Sequence, residues 1–552
     1  MRTTNLLLQS GMRSRSAAAS LVFLFLLLCF DSIGAKSFKD EDYYRKSFTL
    51  SLNKNGTFKN TDTLLTKQKK GNWSLVKNTI TLTSVQDSAE LNEKFSLAYR
   101  SDNKIVLVKS EKRFAYHDKI SFTGTGITWV SIIKGAIGLV FLFLIGFLFS
   151  KNRRKINWSI VLRGTLLQVI LAILILKVPF ISVAFDWLSK GFTKLINFSH
   201  DGANFLFRSL GTEQIHPMLM NFMTWILPSI IFFAAISSLL YYFGILQWIV
   251  KRLAWVMYRT LGISGAESIS AAANIFIGQT EAPLLVRPYL KRMTKSEILC
   301  LMVGGMATIA GGVLAAVIGI LGEGDAAKEL FYAKHLLTAS FMSAPAAIVF
   351  AKILVPETEE IDKNLEVPKD KIGANALEAI TNGTTEGLKL AANVGAMLLV
   401  FMSLIAFVNY CLGKVGDWTT LNDIIAMGGM YDSLSFESIA GYLLAPFSWV
   451  MGVEWQDCMY FGQMLGEKTI LNEFIAYPHM GEIQDELSNK TIIMTTYVLC
   501  GFANIASIGI QVGGIGILVP EKRSLLAKYG VIALIGGTLA CMSTSVLAGM
   551  LF

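Results

Sequence analysis

Long apolar runs separated by short polar connections make up most of the chain after residue 126. An α-helix rising about 1.5 Å per residue needs roughly 20 such residues to cross a hydrocarbon core about 30 Å thick. The pattern predicts eight membrane-spanning helices, at residues 127–150, 157–178, 220–246, 297–320, 331–354, 386–412, 491–517 and 527–550. An aromatic-rich stretch at 180–210 carries polar groups at helical spacing, which predicts an amphipathic helix in the membrane interface.

Two further apolar stretches, 263–290 and 439–477, are too polar and too rich in glycine to be spans. The first is interrupted by Gly278 and Pro283, and the second by several glycines and charges. Irregular backbone at membrane depth is tolerated only where it lines a cavity or lies buried in protein. Because each stretch begins and ends on one predicted side, we predict two re-entrant hairpins entering from opposite faces, as in inverted-repeat transporters.

Lysine and arginine set the predicted orientation. They cluster in the connections at 151–155, 251–259, 287–295 and 522–528, which all fall on one side if the spans alternate. Short loops rich in these residues stay in the cytoplasm. The N-terminus is therefore predicted to lie outside the cytoplasm.

The first residues predict export. An apolar run at 17–30 follows Arg13 and Arg15 and is too short to span comfortably, which indicates a cleaved signal peptide at residues 1–35. An uncleaved anchor, or translation that begins at Met12, are the alternatives. Export of this end agrees with the orientation given by the loops.

Residues 36–125 have a different pattern. Short alternating stretches are separated by turn formers such as Asn55-Gly56, which predicts a small exported all-β domain of five or more strands. Its Gly71-Asn72-Trp73 faintly resembles lipocalin-like domains. A structural appendage without a ligand is the equal alternative.

Composition agrees with a membrane protein. Of 552 residues, 53% are apolar and 16% charged, whereas soluble domains have about 25% charged residues. The net charge of +10 is concentrated at the start of the chain: residues 1–35 hold 3 basic and 1 acidic groups, residues 36–125 hold 17 and 10, and the rest hold 30 and 29. A nucleic-acid partner needs a basic surface, which the nearly neutral body does not offer. The six cysteines lack CxxC spacing, so no metal centre or disulfide framework is indicated.

Two carboxylates stand at the predicted hairpin tips, Glu281 after Gln279-Thr280 and Glu473 after Asn472. An ionisable group at membrane depth costs several kcal/mol and is functional by default. Two of them beside amides and hydroxyls predict a polar, hydrogen-bonding ligand.

The spans after the hairpins add Thr308, and Asn504 with Ser507. A lone threonine or serine in a membrane helix commonly bonds its own backbone, and a lone asparagine commonly joins two helices. Glu267 is either a helix-end group or a functional carboxylate. These alternatives stay open from the residues alone.

At these residues the chain resembles the concentrative nucleoside transporter family. The resemblance covers about residues 127–552 and is carried by Gly278-Gln279-Thr280-Glu281-Ala282-Pro283-Leu284, by Asn472-Glu473-Phe474-Ile475-Ala476-Tyr477, and by Gly501-Phe502-Ala503-Asn504 with Ser507. It implies a polytopic α-helical membrane protein, in which a transport domain carrying both re-entrant hairpins moves against a scaffold within a homotrimer.

The resemblance also implies the site. Residues that would face the nucleobase are Gln279, Thr280, Glu281 and, packing near it, Val313. Residues that would hold the ribose hydroxyls and lie beside the sugar are Glu473, Asn504, Ser507 and Phe502. The sodium ligands would be the side chains of Asn274 and Thr308 with the carbonyls of Ile277, Thr308 and Ile309.

The implied function is ion-coupled uptake of nucleosides of the uridine, cytidine and adenosine class across the cytoplasmic (inner) membrane. The Gln-Thr-Glu-Ala-Pro form at 279–283 favours sodium as the coupling ion, and a proton is the alternative. No other cofactor and no nucleic acid are expected. One rival is an intramembrane enzyme using Glu281 and Glu473 as acid and base, although no HExxH or GxSxG occurs. A second rival is a nucleoside-sensing receptor.

Overall fold

A computed structural model describes residues 127–552, except 208–226, 323–324, 363–372, 428–430 and 485–486, and gives the backbone of eight strands between residues 41 and 117. The chain divides into two compact units, Met1–Lys119 and Ile120–Phe552. The predicted signal peptide at 1–35 and the alternative start at Met12 lie outside the described residues.

The N-terminal unit holds an antiparallel barrel. Its strands are β1 (Glu41–Arg45), β2 (Phe48–Leu52), β3 (Thr57–Asn60), β4 (Lys70–Val76), β5 (Thr79–Gln86), β6 (Ala89–Arg100), β7 (Lys104–Lys109) and β8 (Lys112–His117). Each strand pairs with the next, and β8 returns to β1 with Tyr44 opposite His117, which closes the barrel. Closure leaves no unpaired sheet edge. The domain limits at 36–125, the export of this unit and its lipocalin-like character stay predictions.

The second unit is helical in the residues that the structure describes. Its first helices are α1 (Trp129–Phe149), α2 (Trp158–Lys177), α3 (Pro179–Phe207), α4 (Leu227–Tyr242), α5 (Ile245–Leu261), α6 (Gly265–Ala273), α7 (Ala282–Leu285), α8 (Lys295–Ala307) and α9 (Gly311–Gly322). They are followed by α10 (Ala326–Leu354), α11 (Ala376–Thr419), α12 (Leu421–Met427), α13 (Phe436–Val450), α14 (Cys458–Ile470), α15 (Glu473–Ile483), α16 (Asn489–Leu499), α17 (Ile505–Leu518) and α18 (Arg523–Leu551). α18 packs against α1, α8, α10, α16 and α17, so it lies at the centre of this unit.

The predicted spans are confirmed as helices with three changes. α1, α2, α10 and α18 lie within a few residues of predicted spans, and 386–412 lies inside the 44-residue α11. The predicted spans 297–320 and 491–517 are broken helices, α8–α9 and α16–α17. The described part of 220–246 bends by 79° between α4 and α5. In the described region five stretches are long and apolar enough to cross a membrane, or six with that bent pair: α1, α2, α8–α9 taken together, α10 and α18.

The two breaks meet because of a glycine. Gly501, in the break between α16 and α17, has φ +150°, a conformation that favours glycine, and a Cβ there would lie 2.8 Å from both Ala307 O and Cys541 Sγ. The amide of Phe502 donates to Thr308 O at 3.3 Å. The backbone of one interrupted helix therefore bonds that of the other.

The structure places three helices in the predicted second hairpin, 439–477. Residues 439–477 combine most of α13, a helix of its own, with α14 and the start of α15. Gly462 and Gly466 do not interrupt a helix; they let α13 approach α14, since a Cβ at Gly466 would lie 2.6 Å from Ala440 Cβ. The short break falls later, at Leu471 and Asn472, between α14 and α15.

A buried ion pair joins three segments at the base of the first hairpin. Lys352, near the end of α10, lies 2.5 Å from Glu267 Oε1 in α6, and both side chains are almost fully buried. Lys352 Nζ also donates to Ser296 Oγ at 3.0 Å in α8. Glu267 completes a capping box with Ser264 at the start of α6. Glu267 is therefore a helix-end group that is also paired.

Breaking this pair should destabilise the protein. Lys352→Met leaves Glu267 buried without its cation, which costs about 3–5 kcal/mol for a buried pair. We expect the purified variant to melt well below the wild-type protein, while Lys389→Met, on an exposed helix face, melts as the wild type does. Equal melting temperatures for Lys352→Met and Lys389→Met would contradict the structural role of the pair.

Candidate functional site

The first hairpin unwinds at its tip. α6 ends at Ala273, the chain is not regularly helical from Asn274 to Glu281, and the four-residue α7 begins just before Pro283. Proline near a helix start fits because its missing N–H would have no partner there. Glu281 Oε2 accepts from Gly278 N at 3.2 Å, which closes the tip.

The tip side chains differ in exposure. Gln279 is buried, whereas Thr280 and Glu281 are exposed to the space around the tip. Thr280 lies beside α17, because a Cβ at Gly514 would be 3.4 Å from Thr280 Cγ2. The tip therefore presents an amide inward and a carboxylate outward.

The second hairpin brings its carboxylate to the other broken helix. Glu473 is the first residue of α15 and follows the extended Asn472. Asn504 Nδ2 donates to Glu473 Oε2 at 3.1 Å, and Asn504 Oδ1 accepts from Ser507 N at 2.9 Å as the N-cap of α17. One asparagine therefore ends the break and orients the carboxylate.

The two halves of the site are joined by hydrogen bonds. Gln279 Nε2 donates to Ser507 Oγ at 3.1 Å. Gln511 Nε2 donates to Gln279 Oε1 and to Met302 O, each at 3.0 Å. The predicted residues Gln279, Glu473, Asn504 and Ser507 thus belong to one continuous polar network. Each of them is less than one-tenth exposed.

Gln511 was not predicted. It stands four positions after Ser507 on α17, so both side chains lie on one face of the helix. The spacing from Asn504 through Ser507 to Gln511 is the signal that would have identified it. The apolar members of the predicted site, Val313 and Phe502, are buried on α9 and in the α16–α17 break.

The predicted sodium ligands include an amide side chain, Asn274, that has no hydrogen-bond partner among the described residues. Asn274 is 1% exposed, and neither its Oδ1 nor its Nδ2 has a hydrogen-bond partner among the described residues. Its side chain lies against Gly304, whose carbonyl accepts from Thr308 Oγ1 at 2.9 Å. A buried amide oxygen without a donor costs free energy unless it has a ligand, and hard oxygen atoms suit a hard cation.

The predicted carbonyl ligands lie beside the same break. Gly311 N donates to Phe276 O at 3.1 Å, which ties the unwound tip to the start of α9 next to Ile277 and Ile309. The donor set of amide, hydroxyl and carbonyl oxygens fits a monovalent cation. Among the described residues no cluster of His, Cys, Asp and Glu could hold a transition metal.

Loss of Gln511 should loosen the network. Gln511→Leu leaves Gln279 Oε1 and Met302 O buried without this donor, and unmade buried hydrogen bonds cost about 1–3 kcal/mol. We expect a lower melting temperature for Gln511→Leu. Ile510→Leu, at the adjacent and partly exposed position, should melt as the wild type does. A Gln511→Leu protein as stable as Ile510→Leu would contradict this account.

Comparison with known proteins shows which family models and relatives the chain matches. Family models match residues 137–210 (Na+ dependent nucleoside transporter N-terminus), 223–324 (nucleoside recognition) and 335–549 (Na+ dependent nucleoside transporter C-terminus). An uncharacterized transporter of Haemophilus influenzae is 41% identical over 428 residues, 76% of this chain and 98% of the relative.

Mammalian relatives are longer. Solute carrier family 28 member 3 of Rattus norvegicus is 40% identical over 434 residues, 75% of this chain but only 58% of the relative. Sodium/nucleoside cotransporter 1 of Rattus norvegicus is 38% identical over 433 residues, 75% of this chain and 62% of the relative. The solved structure of CNTnw in an inward-facing substrate-bound state matches with a TM-score of 0.68 and 36% identity, covering 76% of this chain and 99% of CNTnw.

Proposed function

This chain belongs to the concentrative nucleoside transporter family, and from that membership we propose that it takes up nucleosides by sodium-driven symport. Members of the family are transporters, so the chain is not an enzyme. The proposed substrates are nucleosides of the uridine, cytidine and adenosine class.

One observation carries the proposal: the hydrogen-bonded network that joins Gln279, Ser507, Asn504 and Glu473 where the hairpin tips meet the helix breaks. A nucleoside is polar along its ribose edge and its base edge, and a buried site must offer partners to both. A carboxylate accepts two hydroxyl hydrogens, and an amide side chain both donates and accepts. The network has these groups in one place.

We assign the base to the first hairpin and the ribose to the second. Gln279, Thr280 and Glu281 would face the nucleobase, with Val313 packing near it. Glu473, Asn504 and Ser507 would hold the ribose hydroxyls, with Phe502 beside the sugar. Gln279 donates to Ser507 Oγ, so a nucleoside that enters between them would exchange this bond for bonds of its own.

Sodium is proposed as the second substrate. Asn274 and Thr308 would bind it with the carbonyls of Ile277, Thr308 and Ile309. Because Asn274 and Gln279 stand on the same unwound tip, a cation that fixes Asn274 also limits where Gln279 and Glu281 can lie. Each ligand then favours the arrangement that the other has ordered, and this is the origin of coupling.

Translocation is proposed to follow an elevator-like path. Both re-entrant hairpins, at about 263–290 and at α14–α15, and both broken helices would move together as a transport domain. The scaffold would form a homotrimer in the cytoplasmic (inner) membrane, with the β-domain outside the cytoplasm after removal of a signal peptide.

Ion gradients imposed on proteoliposomes test the coupling. We expect an inward sodium gradient to drive accumulation of labelled uridine and a proton gradient alone to give no accumulation. Empty liposomes under the same gradients are the control. Accumulation driven by protons and indifferent to sodium would replace sodium by the proton-coupled alternative, and uridine recovered in altered chemical form would contradict transport.

Substitutions in the ribose half test the site. Glu473→Gln and Asn504→Ala each remove a ribose partner, and losing a hydrogen bond that involves a charged group costs about 10- to 100-fold in affinity. We therefore expect uptake of uridine to be nearly abolished while protein still reaches the membrane. Glu521→Gln, at an exposed glutamate, is the matched control and should transport normally. Normal transport by either site variant would refute the assignment.

A further inference from the structure

The helix before the second break ends deep in the protein, where its last carbonyls need donors. The final four carbonyls of any α-helix have no partner within the helix. At the end of α16, Thr496 O accepts from Tyr477 Oη at 3.0 Å, Tyr497 O from Cys500 N at 3.2 Å, and Val498 O from Lys468 Nζ at 2.7 Å. Two of the three donors belong to the second hairpin.

Lys468 is unusual among them because it is charged. Its side chain is fully buried on α14, close before the hairpin tip. No carboxylate of the described residues lies within 4.0 Å of its Nζ. Its ammonium instead faces the negative end of α16, where a cation is favoured. The same charge also acts on Glu473 at the tip.

The first hairpin and its interrupted helix, α8–α9, have a comparable break, but their buried ammonium, Lys352, lies at the base of the hairpin and not at the end of α8. α8 also ends at a break, where Gly304 O accepts from Thr308 Oγ1 and Ala307 O accepts from Cys541 Sγ. No lysine or arginine of the described residues donates to the last turn of α8. Next to it stands Asn274, whose side-chain oxygen has no partner among those residues.

We propose that Lys468 is a tethered cation. At the end of α16 its ammonium takes the place that sodium takes beside the end of α8. This inference rests on the proposed sodium-coupled uptake. Each break then has a cation beside the end of its first helix, sodium at the end of α8 and Lys468 Nζ at the end of α16.

The test is to remove the ammonium of Lys468 by substitution and to supply a free cation in its place. Uridine binding to purified protein in nanodiscs is measured against sodium concentration for the wild type, Lys468→Ala, Lys468→Arg and the exposed control Lys389→Ala. We expect Lys468→Ala to bind uridine about tenfold or more weakly, because the break that positions Asn504 and Ser507 loses its charged donor at Val498 O. Added ammonium or methylammonium should restore much of the affinity, and sodium dependence should steepen because a second small cation must bind.

The controls separate the outcomes. Lys468→Arg keeps the charge and should retain more affinity than Lys468→Ala, and Lys389→Ala should bind as the wild type does. Absence of uridine binding by the wild type would contradict the proposed function itself. A folded Lys468→Ala protein that neither ammonium nor sodium rescues, or one that binds normally, overturns the tethered-cation inference.

A stability measurement decides the case in which Lys468→Ala does not fold. Lys468→Met leaves the carboxylate of Glu473 without the compensating positive charge. Adding Glu473→Gln removes the negative charge of that carboxylate. We expect the double variant to melt at a higher temperature than Lys468→Met alone. A double variant that melts lower than Lys468→Met would overturn the inference.

Discussion

The structure depends on the requirement that every backbone amide and carbonyl at membrane depth finds a partner within the protein. Two broken helices, α8–α9 and α16–α17, interrupt their own hydrogen-bond ladders. Part of the deficit is met between the breaks, where Phe502 N donates to Thr308 O. The rest is met by neighbours, because Tyr477 and Lys468 donate to the end of α16. Side chains of the second hairpin therefore supply the hydrogen-bond donors that the end of α16 needs.

The groups that complete the backbone are also those that would meet a ligand. Asn504 accepts from the amide of Ser507 with its oxygen and donates to Glu473 with its nitrogen. Capping of α17 and orientation of the Glu473 carboxylate therefore use opposite ends of one side chain. Thr308 also has two roles, because its hydroxyl donates to Gly304 O and its carbonyl accepts from Phe502 N. Substitutions here change local folding and binding together.

Much of the helical unit could be predicted from the sequence, because membrane thickness fixes the length of an apolar run. The four network residues were also predictable as a set, through motifs at the hairpin tips and helix breaks. The division of 439–477 into three helices was not predictable, since Gly462 and Gly466 serve close helix packing and a sequence pattern does not distinguish packing glycines from breaking ones. Gln511 and Lys468 were missed because their partners are backbone carbonyls or side chains distant in sequence.

Cys541, on the central α18, contacts both breaks at once. Its Sγ lies 3.5 Å from Ala307 O and 3.4 Å from Cys500 O. A thiol has a single hydrogen, so at any moment it can donate to one of these carbonyls and must leave the other. Rotation about the Cβ–Sγ bond therefore moves this hydrogen from the carbonyl of one interrupted helix to that of the other, and no heavy atom is displaced.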